Sequence, residues 1–457
     1  NGAGRWGYLM ESRVVAIGCG LLLAGWPQAA VAAPAMPAER ISVTSTGEQG
    51  DGTSGWPSVS ADGRYVAFES AATNLVPGDV NGTTDVFVHD RLLGTTVRPV
   101  TSLLASGFPG DGLYGALISA DGRYLSFTSW APDLVPGDTN DTADVFFMDR
   151  WTGAIERVNL TSSGAEATGG ISWGSDISAD GRFVTFTSRA GNLLPGPDKN
   201  HSRGADAFVR DRLTGTTTLV SVALDGLNGH WPSYDRGISA DGRYVAFSSS
   251  ATDLLPDGAQ VIGLYVRDLQ TGTTTRETLT SAGAPAGIDG LHTATMSRDG
   301  RYVTFETTLN DVVPGDTNNA RDIFVRDRAT GEVELISIAG GGTQADGDSW
   351  APRVSDGGRC VVFVSDATTL APGDTNGKSD LFVRDRWSQT TTRLTVDHTT
   401  GGDADGDTDG DGRNGGTNPV ALRPDGGAVA FPSDAANLVP ADTNAATDVF
   451  VRDTGCR

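Results

Sequence analysis

Seven copies of one sentence run through this chain at intervals of 57 to 69 residues, and few folds are built that way. The fullest copy is residues 60–90, SADGRYVAFESAATNLVPGDVNGTTDVFVHD. The copies are anchored at Asp62, Asp121, Asp180, Asp241, Asp299, Asp356 and Asp425, each in a D-G turn entering a Tyr-, Phe- or Val-rich run. Internal repeats of tens of residues mean solenoids, propellers or arrays. Within a unit, YVAFES and DVFVHD are short β-branched and aromatic runs bounded by Gly, Pro, Asn and Asp, which is how strands read. With the apolar segment before each turn (WPSVS) and the Thr/Val run after it (TTVRPV), every unit holds four strands. Sustained helical periodicity is missing beyond the N-terminal segment. The predicted fold is all-β, a seven-bladed propeller of four-stranded antiparallel blades.

Closure of the ring is legible too. Residues 39–46, ERISVTST, read as a fourth strand without the three that should precede it, and the last unit ends on its third strand, DVFVRD. The spacing predicts that residues 41–44 pair with 448–453, completing the last blade of a domain spanning 39–457 and covering edges that would invite aggregation. In such blades the D-G turns and the third-to-fourth turns share one face, built of tight hairpins. The longer second-to-third and blade-to-blade loops share the other, where binding usually sits.

The motif S-x-D-G-R-Y-[VL]-x-F recurs at residues 60–68, 119–127, 178–186 (with Phe183 for Tyr), 239–247 and 297–305. It resembles the WD40-like PD40 repeat of TolB-type β-propellers. The resemblance covers nearly all of the chain beyond its first residues and implies the fold, not a function. TolB itself carries an additional N-terminal α/β domain and a six-bladed ring, so its envelope role is not carried over. Some relatives join such propellers to serine peptidases, and no stretch here is left for a hydrolase domain.

The balance of 34 Lys and Arg against 57 Asp and Glu, net −23, speaks against nucleic acid or an anionic membrane as partner. Residues 1–33 are read as upstream sequence plus a secretory signal peptide: Met10 and Arg13, an apolar run over 14–26, and an A-x-A site at Ala30–Ala32. The apolar run is shorter than the roughly 20 residues of a membrane anchor. The mature chain is thus expected to be secreted or periplasmic, without membrane insertion. Cys360, in a strand run, is read as a small buried apolar residue and not as a disulfide partner of Cys456.

Candidate chemistry centres on acidic loops. The second-to-third loop recurs as P-G-D-x-N-x-x-x-D, giving Asp79/Asn81/Asp85, Asp138/Asn140/Asp144, Asp316/Asn318/Asp322 and Asp374/Asn376/Asp380. Asp442/Asn444/Asp448 keeps the spacing, Asp198/Asn200/Asp206 stretches it, and the fourth unit loses it. Carboxylate and amide oxygens on alternate positions suit a hard cation such as calcium; the same residues also serve as Asx-turns. An insertion at 401–416 repeats D-x-D-x-D-G at Asp405/Asp407/Asp409 and Asp407/Asp409/Asp411, without the Glu that closes a calcium loop. Arg64, Arg123, Arg182, Arg243, Arg301 and Arg359 are predicted to pair with Asp90, Asp149, Asp211, Asp268, Asp327 and Asp385 within their blades. Trp56, Trp173, Trp231 and Trp350 precede D-G turns and either wedge blades together or offer stacking surface on the ligand face.

Enzyme chemistry has little to stand on: the five histidines follow no metal-ligand spacing, and no nucleophile elbow is read. The expectation is a non-catalytic binding or scaffold propeller that recognises a protein, peptide or glycan on its long-loop face. The competing class is a propeller hydrolase or lyase acting on polysaccharide or peptide through channel-mouth carboxylates.

Overall fold

A computed structural model describes residues 37–100, 112–194, 196–200, 204–290, 294–408 and 420–456. The segment read as a signal peptide, Asp409 and Asp411 lie outside the described residues. Seven four-stranded antiparallel sheets follow one another, and two single-turn 3-10 helices are the only helical elements among the described residues. In blade 1 the strands are Ser54–Val59, Tyr65–Ser70, Asp85–Asp90 and Thr95–Val97, from the innermost strand outward. In blade 7 the order is Ala421–Leu422, Ala428–Ser433, Asp448–Asp453 and then Glu39–Arg40.

Ring closure therefore uses the N-terminal strand, with its register two residues earlier than predicted. Glu39 lies opposite Val451 and Arg40 opposite Phe450, and the Ile41 N–H donates to the Val449 carbonyl at 2.7 Å. Past Ser42 the chain turns away, and Val43 bridges Gln49 instead. A tight turn of this kind recurs after five further outer strands, bridging Leu160 to Glu166, Val222 to Asn228, Leu279 to Pro285, Ile338 to Gln344 and Val396 to Asp403.

Each repeated residue has a mechanical reason. In blade 1 the Ser60 hydroxyl donates to Asp62 at 2.6 Å and accepts from the Tyr65 N–H at 3.0 Å, while Gly63 sits at φ +74°. The turn glycines also touch the neighbouring blade. A Cβ on Gly122 would lie 2.2 Å from the Tyr65 ring, and one on Gly242 2.3 Å from Phe183, so in blades 1 to 5 the aromatic opening the second strand seats the next blade's turn. The predicted Arg–Asp couples form in all six blades, from Arg64–Asp90 at 2.7 Å to Arg359–Asp385 at 2.7 Å. A further arginine, invisible to that expectation, binds blade to blade: Arg386 donates to the Gly358 carbonyl at 2.6 Å, pairs with Glu334 of the preceding blade at 2.8 Å and lies 5.5 Å from the Tyr302 ring centroid. Paired aromatics, Phe68 with Phe87 through Phe431 with Phe450, fill the seven blade cores.

The cysteine expectation is overturned. Cys360 and Cys456 form a disulfide with Cα atoms 6.0 Å apart. Cys360 stands where other blades carry the seating aromatic, and a Cβ on Gly426 of blade 7 would lie 2.6 Å from its Sγ. A circular fold brings the end of the last blade against blade 6, a proximity that the separation of 96 residues conceals.

Candidate functional site

The acidic loops assemble as the repeat implied, but their asparagines serve the turn. In each of the five full motifs the Asn Oδ1 accepts a main-chain N–H two residues on: Asn81 from Thr83 at 3.2 Å, Asn140 from Thr142 at 2.9 Å, Asn318 from Ala320 at 3.2 Å, Asn376 from Lys378 at 2.9 Å and Asn444 from Ala446 at 3.0 Å. The Nδ2 groups are committed as well. Asn140 donates to Asp144 at 2.9 Å and to the Ala167 carbonyl at 3.1 Å, and Asn444 to the Gly50 carbonyl at 2.9 Å and Asp448 at 3.4 Å. Asn81, Asn140, Asn318, Asn376 and Asn444, expected as possible ion ligands, each close an Asx-turn, which uses one of the two lone pairs of Oδ1.

The two carboxylates of the motif lie together at the loop, and in blades 1, 2, 6 and 7 an arginine that the sequence analysis did not place stands between them. Arg98 Nη1 lies 2.8 Å from both Asp79 and Asp85. Arg393 Nη1 lies 3.3 Å from Asp374, 3.3 Å from Asp380 and 2.7 Å from Asp403. Arg40 of the closing strand lies 3.0 Å from Asp442 and 3.4 Å from Asp448, with Gln49 Nε2 donating to both at 2.7 Å.

Asp138, Asp144 and Glu166 bring three carboxylates within 4.8 Å of one another, close enough to share one cation. Arg157 Nη1 sits among them at 3.2, 3.0 and 2.5 Å, so a guanidinium occupies the place an ion would take. In blade 3 an amide does the same work: Asn228 Nδ2 donates to Asp198 at 3.2 Å and Asp206 at 3.0 Å. In blade 4, which lost the motif, Arg276 still pairs with Asp257.

Blade 5 differs. Its position opposite Phe324 is Leu335, where blades 2 and 6 place Arg157 and Arg393 opposite Phe146 and Phe382. Asp316 Oδ1 and Asp322 Oδ2 are buried with no hydrogen-bond partner. Burial holds Asp316 above the usual carboxylate range and pushes Asp322 up to about 6, partly offset by the Ser337 hydroxyl at Oδ1. In the insertion, Asp405 accepts the Asn437 N–H at 3.2 Å and Asp407 pairs with Lys378 at 3.0 Å.

The four tryptophans divide. Trp350 is buried in the core between blades 6 and 7, while Trp56 and Trp231 are exposed and Trp173 packs on Tyr234 with ring centroids 6.1 Å apart. Trp56 and Trp173 both line one cavity among the innermost strands. Bulges interrupt five innermost strands, between Gly55 and Ser58, Tyr114 and Leu117, Gly174 and Asp176, Asp235 and Gly237, and Trp350 and Arg353. A bulge re-aims the side chains it carries, and here bulged residues line a cavity of about 90 Å³ walled by Trp56, Pro57, Ala116, Leu117, Trp173 and Ala294, with Asp235 and Arg236 also at its wall. Trp56 holds its place at φ +51°, a region an aromatic residue rarely adopts.

Carboxylates and hydroxyls of the second strands hold these bulges. Glu69 accepts the Gly115 N–H of the next blade at 2.5 Å, Glu306 accepts that of Ala351 at 2.9 Å, and Thr128 and Thr187 do the same for Gly174 and Asp235. Burial pushes Glu69 up to about 7 and Glu306 to about 8. Asp176 accepts the N–H groups of Ile177 at 2.8 Å and Ile238 at 3.1 Å. Asp235, pushed by burial to about 7, accepts the Gly237 N–H at 3.2 Å and keeps Oδ2 buried without a hydrogen bond. The string G-x-S-x-G does occur, at 170–174, but Ser172 opens an innermost strand, buried, with its Oγ 2.7 Å from that of Ser188, and forms no strand-to-helix elbow.

Similar solved structures are propellers. TolB from Acinetobacter baumannii is 15% identical over 75% of this chain and 63% of that one, with TM-score 0.38, so the chain spans less than two thirds of it. An oligogalacturonate lyase in complex with manganese is 12% identical, covering 92% and 96%, TM-score 0.53. The β-propeller domain of the Trilobed protease from Pyrococcus furiosus is 10% identical, covering 88% and 95%, TM-score 0.50. These likenesses are of fold. No protein-family model matches the chain, and no curated protein matches it.

Proposed function

We propose that this TolB-like, seven-bladed propeller is an exported binding module that recognises a peptide, protein or glycan, seating one group of the ligand in the channel between Trp56 and Trp173. The observation that carries this is the strained, half-exposed Trp56, because an outlier kept at a cavity wall points to use and not to packing. Aromatic walls with a few polar groups at one edge are the usual make-up of a binding cavity. The engagement of Glu69, Glu306 and Asp176 by main-chain amides favours binding over acid–base chemistry at those residues. Export accords with the Cys360–Cys456 disulfide, since disulfides persist in oxidising compartments. Among the described residues no helix is long and apolar enough to cross a membrane. Calcium, in this reading, stabilises an acidic loop whose carboxylates neither a guanidinium nor an amide bridges.

One observation favours the competing hydrolase or lyase: Asp235 stands at the cavity wall, and burial raises its pKa into the range that suits a general acid. Titrating the protein with arrays of oligosaccharides and peptides, read by tryptophan fluorescence, separates the two. A ligand whose binding weakens at least tenfold in Trp56→Ala with the melting temperature kept supports the module. Steady turnover of any of them, lost in Asp235→Asn, would replace it with the enzyme.

A further inference from the structure

Six blades answer one electrostatic problem. Two carboxylates, or one in blade 4, lie at the base of the second-to-third loop, and a guanidinium from the outer strand or an amide from the turn after it stands against them. Blade 5 keeps the carboxylates without that partner. Asp316 is 6% exposed and Asp322 fully buried, and each holds an oxygen without a hydrogen bond. Leu335 stands in the arginine position and offers no donor. Gln344, the turn residue equivalent to Gln49, is turned elsewhere: its Nε2 donates to the Gly315 carbonyl at 2.7 Å and its Oε1 accepts from Thr317 at 3.1 Å. Burying charge without a partner is expensive, and the same loop in the sister blades shows where the compensating donor belongs.

We infer that blade 5 binds one hard divalent cation, of the calcium class, between Asp316 and Asp322, in the position that its sister blades give to an arginine or an amide. The inference rests on the calcium reading above and narrows it to one loop. The donors facing the position are oxygens, which select calcium, magnesium or manganese over softer metals. The equivalent carbonyl in blade 2, Gly137, accepts from Arg157 Nη2 at 2.9 Å, so Gly315 lies at the rim of the same position. Exposed loop residues on both sides, Gly315, Thr317 and Asn319, give an ion a way in.

The repeat supplies its own test. Thermal unfolding of the full chain is measured in EDTA, in millimolar CaCl₂ and in MgCl₂ at matched ionic strength, beside calcium stoichiometry from equilibrium dialysis. The chain as it stands is expected to bind one calcium and to melt higher with it than in EDTA. Leu335→Arg, which rebuilds the arrangement of blades 2 and 6, is expected to abolish both the bound ion and the calcium-dependent shift while melting in EDTA no lower than the parent. Asp322→Asn should lose the ion as well, which keeps the test alive if the arginine variant does not fold. Conversely, Arg157→Leu should create a second calcium dependence at Asp138, Asp144 and Glu166. A calcium shift that survives in both Leu335→Arg and Asp322→Asn places the ion elsewhere and overturns this inference alone. Equal midpoints in all three solutions, with no ion retained, overturn the calcium reading as well.

Discussion

Glu306 illustrates how a single residue can be both structural and titratable. It stands where blades 2 and 3 use Thr128 and Thr187 to hold the next bulge, reaches the Ala351 N–H, and is buried with Arg321, Asp289 and Asp348 as its charged neighbours. Desolvation raises it from an ordinary 4.5 to about 8. The folded state therefore binds more protons than the unfolded chain between those values, so its contribution to stability is fully present below about 4.5 and is lost as pH climbs to about 8. Glu69, Asp235 and Asp380, each raised to about 7, act in the same direction. Asp149, Asp211 and Asp385, held down to about 2 by their arginines, act oppositely and lose their contribution only as pH falls below 3.8. The melting temperature is expected to drop between pH 5 and pH 8, and Glu306→Gln should shrink that drop. An unchanged pH slope in this variant would show that Glu306 ionises freely in the fold.

The working element is a junction, the turn of one blade resting on the first aromatic of the blade before it. It needs a glycine because a Cβ would enter the ring, and it needs φ near +72°, which glycine supplies without steric cost. Between blades 6 and 7 the junction is rebuilt with Cys360 in place of the aromatic, and Cys456 reaches back to it. The loop it closes covers 96 residues, so in the chain-entropy account most of its effect is on the unfolded state. Cys456→Ser is expected to lower unfolding stability by about 2–4 kcal/mol without disturbing the other junctions, measured by denaturant titration of oxidised wild type against the variant. A variant as stable as the wild type would reduce the bond to a bystander.

At the scale of the molecule, everything depends on closing the ring. Ile41 is fully buried, Arg40 stands between Asp442 and Asp448, and the Ser42 hydroxyl donates to Asp448 at 2.6 Å. Deleting residues 39–46 removes one buried aliphatic side chain, worth about 1.5–3 kcal/mol, and strands two largely buried carboxylates, a loss of roughly 3–5 kcal/mol. Against a total of about 5–15 kcal/mol that is a large share, so the truncated chain should melt much lower by calorimetry and self-associate through its bare edge in size-exclusion chromatography. A monomer with an unchanged midpoint would reject closure by this strand. Blade number, strand order, the Arg–Asp couples and the closing strand could all be read along the chain, because each depends on neighbours in one unit or on a count of units. The disulfide, the arginines between facing carboxylates, the commitment of Asn140 and Asn444 to their own turns, the bulged channel wall and the unpartnered couple Asp316 and Asp322 could not. They depend on which residue of an outer strand or following turn arrives over a loop, and that meeting exists only once strands lie in register and blades are packed in a ring.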